Sequence, residues 1–157
     1  MACQEFNLVR SADSCYPITQ GSTFNNVTFL YPSDVSTWSP RGQIRKNYAD
    51  VDAAIEASFS FDALSYGSYT INGVTSNYTA IRPTLTATQT QGLEATKQGI
   101  VAVDGIYITI TDANGNAKKS AVGTDLWVYD IELESGGGTV IKVARGLVQV
   151  LREVTRA

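Results

Sequence analysis

Asp130, Glu132 and Glu134 fall at every second position, so on a β-strand their carboxylates line one face. Two carboxylates held a few ångströms apart are the apparatus of glycoside hydrolysis, one giving a proton and the other attacking or activating water. On the wet face of a sheet the same spacing is ordinary solvation, and solvation is the commoner cause. The chain has no histidine, which removes the commonest general base and the commonest zinc ligand together. Cys3 and Cys15 have no neighbour in sequence that would deprotonate them, so neither reads as a nucleophile. A serine and lysine pair is open to any chain with both residues, and nothing points to one. Asp112, Asn114 and Asn116 imitate the first ligand positions of a calcium loop, but the glycine comes too early and no bidentate glutamate follows at the right distance. A hairpin turn accounts for the same residues. The expectation is therefore a protein with no catalytic residues, no cofactor and no metal.

The elements that would position these groups are strands. Over 126–133, Trp127, Tyr129, Ile131 and Leu133 share one face and Leu126, Val128, Asp130 and Glu132 the other. A strand with one dry face is expected there. Ser135-Gly136-Gly137-Gly138 supplies a reversal, and 139–145 returns with Ile141 and Val143 on one side and Val140, Lys142 and Ala144 on the other. Arg145-Gly146 reads as a break before a last strand over 147–154, where Val148, Val150 and Val154 share a face. Upstream, strands are expected at 6–10, 27–31, 41–48 and 55–61, the last with Ile55, Ala57, Phe59 and Phe61 facing inward. Asn72-Gly73 between two β-prone runs predicts a tight hairpin, because both central positions of a type I′ turn need φ > 0. A strand over 78–86 follows, with Pro83 placing it at an edge. Thr88 and Gln91 stand at capping-box spacing, which predicts a short helix over 89–98. Ile106, Ile108 and Ile110 then alternate before the reversal at 112–116.

A chain of 157 residues is one ordinary domain. Abundant aromatic and β-branched residues, with Thr, Ser, Gly and Asn between the apolar runs, imply an all-β class. The net charge of −3 comes without any block of lysine or arginine, so the footprint for gripping nucleic acid is missing. No apolar stretch is long enough for a membrane span, and the first residues lack a secretory pattern, so synthesis in the cytoplasm is expected. The spacing of Cys3 and Cys15 matches no redox or zinc motif. Two free thiols are the plain reading, and a disulfide pinning the first strand the sharper one.

A resemblance emerges from three separated blocks. Tyr129-Asp130-Ile131-Glu132-Leu133, a glycine turn, Val140, Gly146-Leu147-Val148-Gln149-Val150 and Glu153-Val154-Thr155-Arg156 resemble the closing motif of small phage tail domains found at the front of baseplate upper proteins and tail fibre proteins of bacteriophages. Gln20-Gly21-Ser22-Thr23-Phe24, the strand over 27–31, Trp38 and Gln43-Ile44-Arg45 resemble the opening motif. Leu85-Thr86-Ala87-Thr88-Gln89-Thr90 resembles a short turn or helix between them. Ser22 stands where that family usually has an acidic residue, and 98–123 looks like an inserted hairpin.

The resemblance implies a structural component of a phage tail, placed in the virion at the baseplate or at the attachment of tail fibres. Its partners would be other tail proteins, met in several copies around the tail axis. A carbohydrate-binding module at a tail fibre is the alternative, and a cell-envelope hydrolase a remote one. The expected architecture is a single antiparallel β-sandwich over 1–157, immunoglobulin-like or jelly-roll-like, with projecting hairpins. Trp127, Tyr129, Ile131 and Leu133 would pack against Phe59, Phe61, Phe29 and Val150 in its core. Tyr107, Asp112, Asn114, Asn116, Tyr69 and Asn72, at the hairpins, are the candidate interface residues.

Overall fold

A computed structural model describes residues 3–48 and 55–153. In chain order the strands are β1 (Gln4–Glu5), β2 (Ile18–Thr19), β3 (Phe29–Tyr31), β4 (Ser39–Arg45), β5 (Ile55–Ser58), β6 (Ser60–Phe61), β7 (Ser65–Ile71), β8 (Val74–Ile81) and β9 (Pro83–Thr84). After the helix α1 (Ala87–Gln91) come β10 (Ile100–Asp104), β11 (Tyr107–Thr111), β12 (Ala117–Lys119), β13 (Trp127–Glu134), β14 (Val140–Val148) and β15 (Val150–Leu151). The protein is all-β with one short helix among the described residues, and no helix there is long and apolar enough to cross a membrane.

The largest sheet has the order β1-β14-β13-β4-β5, and smaller ones are β3-β8-β7, β10-β11-β12, β15-β2 and β6-β9. β13 is the centre of the first, antiparallel to β14 on one side and to β4 on the other. Its expected dry face is dry: Trp127, Tyr129, Ile131 and Leu133 join Phe29, Phe59, Ile44, Ile81 and Val150 in the main core, with Phe61 at its margin. Phe29 of β3 meets Tyr129 across this core with ring centroids 6.5 Å apart. Gly42 on β4 makes room for Phe59, since a Cβ there would lie 3.0 Å from its ring.

Several expectations are corrected. The chain does not break at Arg145-Gly146, because β14 runs through it. Gly146 is there for close approach: a Cβ on it would sit 2.0 Å from the carbonyl oxygen of Phe6. The segment expected as a strand over 6–10 lies along β14 in parallel, Phe6 and Leu8 donating their N–H groups to the carbonyls of Arg145 and Leu147. The regular strand here is Gln4–Glu5, just before that segment. A bulge in the β13–β14 ladder then defeats simple alternation: Ile131 pairs with Ala144 but Glu132 with Lys142, leaving Val143 as the extra residue. Val143 and Ala144 are consequently both buried. A second bulge, between Ile44 and Arg45, pairs Ile55 with Arg45, and Ile55 is 46% exposed rather than turned inward.

The helix is also displaced. Two overlapping Thr-x-x-Gln patterns compete at this point, and the one used is Thr86 with Gln89: the Gln89 N–H donates to Thr86 Oγ1 at 3.2 Å and the Thr86 N–H to Gln89 Oε1 at 2.9 Å. Gly92 ends the helix, so it stops well short of Gln98. Val154 and the rest of the closing motif to Arg156 lie outside the described residues.

The insertion over 98–123 is a three-stranded antiparallel meander, β10-β11-β12, rather than one hairpin. It does not merely project. Val101 and Ile110 pack with Val9 and Leu126 into a second core flanked by Ile108 and Leu147. For this reason Leu126, expected on the wet face of its strand, is fully buried.

Candidate functional site

The three acidic residues of β13 do line one face, and the register of the sheet answers each with a neighbour. Glu132 stands opposite Arg41 on β4 and opposite Lys142 on β14, and forms ion pairs with both. Asp130, one row along, lies between Gln43 and Arg145, with Lys142 Nζ 3.4 Å from its carboxylate. Arg145 in turn pairs with Glu5 of β1 at 2.7 Å, and Arg41 reaches Glu134 at 3.5 Å. The outer face is thus a ladder of opposite charges running across four strands, an arrangement in which cross-strand neighbours of opposite sign favour the pairing. Arg41, Asp130, Glu132 and Lys142 border a depression of about 490 Å³ that Arg45 and Tyr48 also line.

The electrostatics run against proton donation. Partial burial pushes the Glu132 carboxyl up, but hydrogen bonds from Lys142 and Arg41 outweigh it and hold the group below the ordinary glutamate value of 4.5. A general acid needs the reverse shift. The Glu132 hydrogen bond likewise raises the basicity of both Arg41 and Lys142. Because the folded-state pKa of Glu132 is depressed, its stabilising contribution is present above the unfolded value and is lost as pH falls through the folded one. Denaturant titrations from pH 6 downward should show stability falling below about pH 4.5, and Glu132→Gln should flatten that part of the profile. An unchanged profile in the variant would remove Glu132 from the account.

Tyr48 was not singled out by sequence, and no local signal marks it. Its hydroxyl donates to the Tyr129 carbonyl at 2.6 Å and accepts from the Gly146 N–H at 2.9 Å, joining β13 to β14. The guanidinium of Arg145 lies 5.9 Å from its ring centroid. Burial, opposed by the hydrogen bond at Gly146, pushes the phenol up to about 12. On the opposite face of the same pair, the Tyr129 hydroxyl donates to the Phe6 carbonyl at 2.6 Å, and burial pushes that phenol upward too. The two tyrosines bolt the N-terminal segment and β14 onto β13 from both sides.

At the hairpins, Asn72 and Gly73 take φ of 51° and 79°, the type I′ values that the sequence demanded. Tyr69 packs edge-on to Tyr78, ring centroids 6.3 Å apart. On the meander, Tyr107 is 58% exposed and Lys119 Nζ lies 5.0 Å from its ring centroid. Asp112 works as a turn cap: its Oδ1 accepts from the N–H groups of Asn114 at 2.9 Å and Asn116 at 3.0 Å. Led by the Asn116 N–H, these bonds hold its carboxyl below the usual range. Among the described residues no group of three or more His, Cys, Asp or Glu side chains could hold a metal ion.

The Cys3–Cys15 bridge does not form, and both thiols are free. Cys15 pairs with Arg10 across a turn, while Cys3 precedes β1 at the far end of the same extended segment. Seven residues of extended chain span roughly 20 Å, far beyond the reach of a disulfide. Burial pushes the Cys3 thiol up, opposed by Arg145, away from a reactive thiolate.

The three blocks of the phage resemblance meet in one place. Phe24 and Leu85 exchange both backbone hydrogen bonds at 2.9 Å, and Thr90 Oγ1 donates to the Ser22 carbonyl at 2.8 Å. The Gln20 N–H donates to Leu151 at 2.9 Å. Gly21, at φ 79°, fits between Gln91 and Glu153, whose carboxamide and carboxylate oxygens would each lie 2.9 Å from a Cβ. No known protein family and no curated protein matches this chain.

Proposed function

We propose that this domain is a structural component of a bacteriophage tail, at the baseplate or where tail fibres attach, and that it works by binding other tail proteins. The observation that carries the reading is that hydrogen bonds join the opening and middle blocks, distant in sequence, with Glu153 of the closing block beside Gly21. The charge ladder on the outer face supports the same reading. Glu132 at its centre is held ionised by Lys142 and Arg41, which suits geometric recognition of another protein surface more than proton transfer. Repetition around a tail axis would raise the effective concentration of each modest contact.

The carbohydrate-binding alternative needs aromatic rings with free faces. Lys119 covers one face of Tyr107 and Tyr69 is engaged with Tyr78, whereas Tyr66 is exposed without a ring or cation contact of this kind among the described residues.

Mass spectrometry of purified virions of the phage encoding this chain should detect it as a stoichiometric tail component. Its absence from the particle would end the structural reading. Saturable binding of the isolated domain to host surface glycans would favour the receptor module instead.

A further inference from the structure

The hairpin of β7 and β8 ends in an open edge with unusual properties. Among the described residues β7 pairs on one side only, with β8, and Ser65, Tyr66, Ser68, Thr70 and Ile71 are all exposed. No charged residue lies between Asp62 and Arg82, and those two neutralise each other in an ion pair at the base of the hairpin. Edge strands that must stay single are usually guarded by lysine, proline or a bulge, and β7 has none of these. A seven-residue strand left in this state is built to be covered.

We propose that it is covered by β7 of a second copy of this chain, paired antiparallel about a two-fold axis at Ser68. The hairpin geometry fixes the register. In a two-residue turn the flanking residues exchange both backbone bonds, so Ile71, Tyr69, Gly67 and Ser65 turn their N–H and C=O groups toward β8. Tyr66, Ser68 and Thr70 therefore turn theirs outward. The side chains agree: Thr70 bonds Thr75 at 2.8 Å and Ser68 bonds Asn77 at 3.0 Å, the close contacts of rows without backbone bonds. A two-fold axis at Ser68 sets the outward groups of Ser68 against themselves and those of Tyr66 against Thr70 of the other copy, using every outward donor and acceptor of these three residues.

The same axis places Tyr69 opposite Gly67 of the second copy, in a row where side chains approach most closely. That site is vacant: a Cβ on Gly67 would meet nothing within 4 Å. Gly67 stands across from Tyr78, whose ring leans toward Tyr69. Each copy thus offers a hollow at Gly67 and, two residues on, the ring that fills its twin, so that Tyr69 and Tyr78 of both copies form one aromatic cluster. The absence of charge lets like meet like without repulsion. This self-complementarity selects a second copy over a foreign strand, and it holds whether or not the chain belongs to a tail.

The test is sedimentation velocity of the purified protein from micromolar to millimolar concentration, beside two variants. Ser68→Pro removes the outward N–H at the axis, a position where an edge strand accepts proline. Gly67→Val fills the hollow in space that is open in the single copy and favours strand structure. The protein should dimerise with rising concentration, and each variant should weaken association by about tenfold or more, since backbone pairs or their close approach are lost. Thermal melting of dilute protein should be little changed in both. A chain that stays monomeric throughout, or dimers that persist equally in a variant with intact melting, would overturn the proposal.

Discussion

Replacing Trp127 with alanine is expected to destabilise the domain by about 3–5 kcal/mol. The indole is 3% exposed and begins the dry face of β13, paired across the sheet with Val148, which is fully buried. Both sheet neighbours and the opposing strands are fixed by their own pairings, so little can collapse into the space left behind. For a domain of this size each kcal/mol moves the melting temperature by about 2–4 °C, which makes the expected drop roughly 6–20 °C. Val140→Ala is the control: Val140 lies near the far end of the same hairpin, 41% exposed, and the change should stay within about 0.5 kcal/mol. Circular dichroism melting of the two variants decides the matter. Equal melting temperatures would mean that the two faces of β13 have been assigned the wrong way round.

The Trp127 face was legible because alternation along a strand is a local property. A side chain of period two needs only its own backbone to be sorted between faces. The Asn72-Gly73 turn was legible for a related reason, since φ > 0 at two successive positions restricts the residue types directly. What escaped the sequence depends on distant chain. Leu126 belongs to the same alternating run as Asp130, yet it is buried because a separate meander brings Val101 and Ile110 over it. Gly146 looked like a strand breaker and is in fact a strand residue pressed against Phe6. The bulge at Val143 leaves no mark in composition, so Ala144 was placed on the wrong face.

The alternating carboxylates of β13 were visible, whereas Arg41 and Lys142 could be assigned to Glu132 only once register was known. Tyr48 makes its bonds to residues far along the chain, and a lone tyrosine after a strand announces nothing. The insertion at 98–123 was legible as a hairpin but not as part of a core, for a comparable reason. Removing 105–119 would strip Ile110 from the second core, whereas the tip at Ile106, 88% exposed, stands clear of it.

Gln149 is the residue whose loss should reveal how that second core is tied to the first, and Gln149→Leu is expected to cost about 2–4 kcal/mol. The side chain is fully buried between two valines that face the main core. Its Oε1 accepts from the Arg10 N–H at 2.8 Å, and its Nε2 donates to the carbonyls of Lys97 at 3.1 Å and Gly99 at 2.9 Å. One amide thereby joins the N-terminal segment, the chain entering β10 and the link between β14 and β15. Leucine matches it in bulk but removes three hydrogen bonds, each worth about 0.5–1.5 kcal/mol net. The loss should also be local in its consequences. Arg10 accepts from the Val101 N–H at 2.8 Å, so loosening Arg10 frees the first strand of the meander. Amide hydrogen exchange at Arg10 and Val101 should accelerate more than exchange in β13, whose ladders do not involve Gln149. If the variant melted like the unmodified protein, or if exchange rose uniformly across both cores, the amide would be a passenger and the meander would be held by Val101, Ile110 and Leu126 alone.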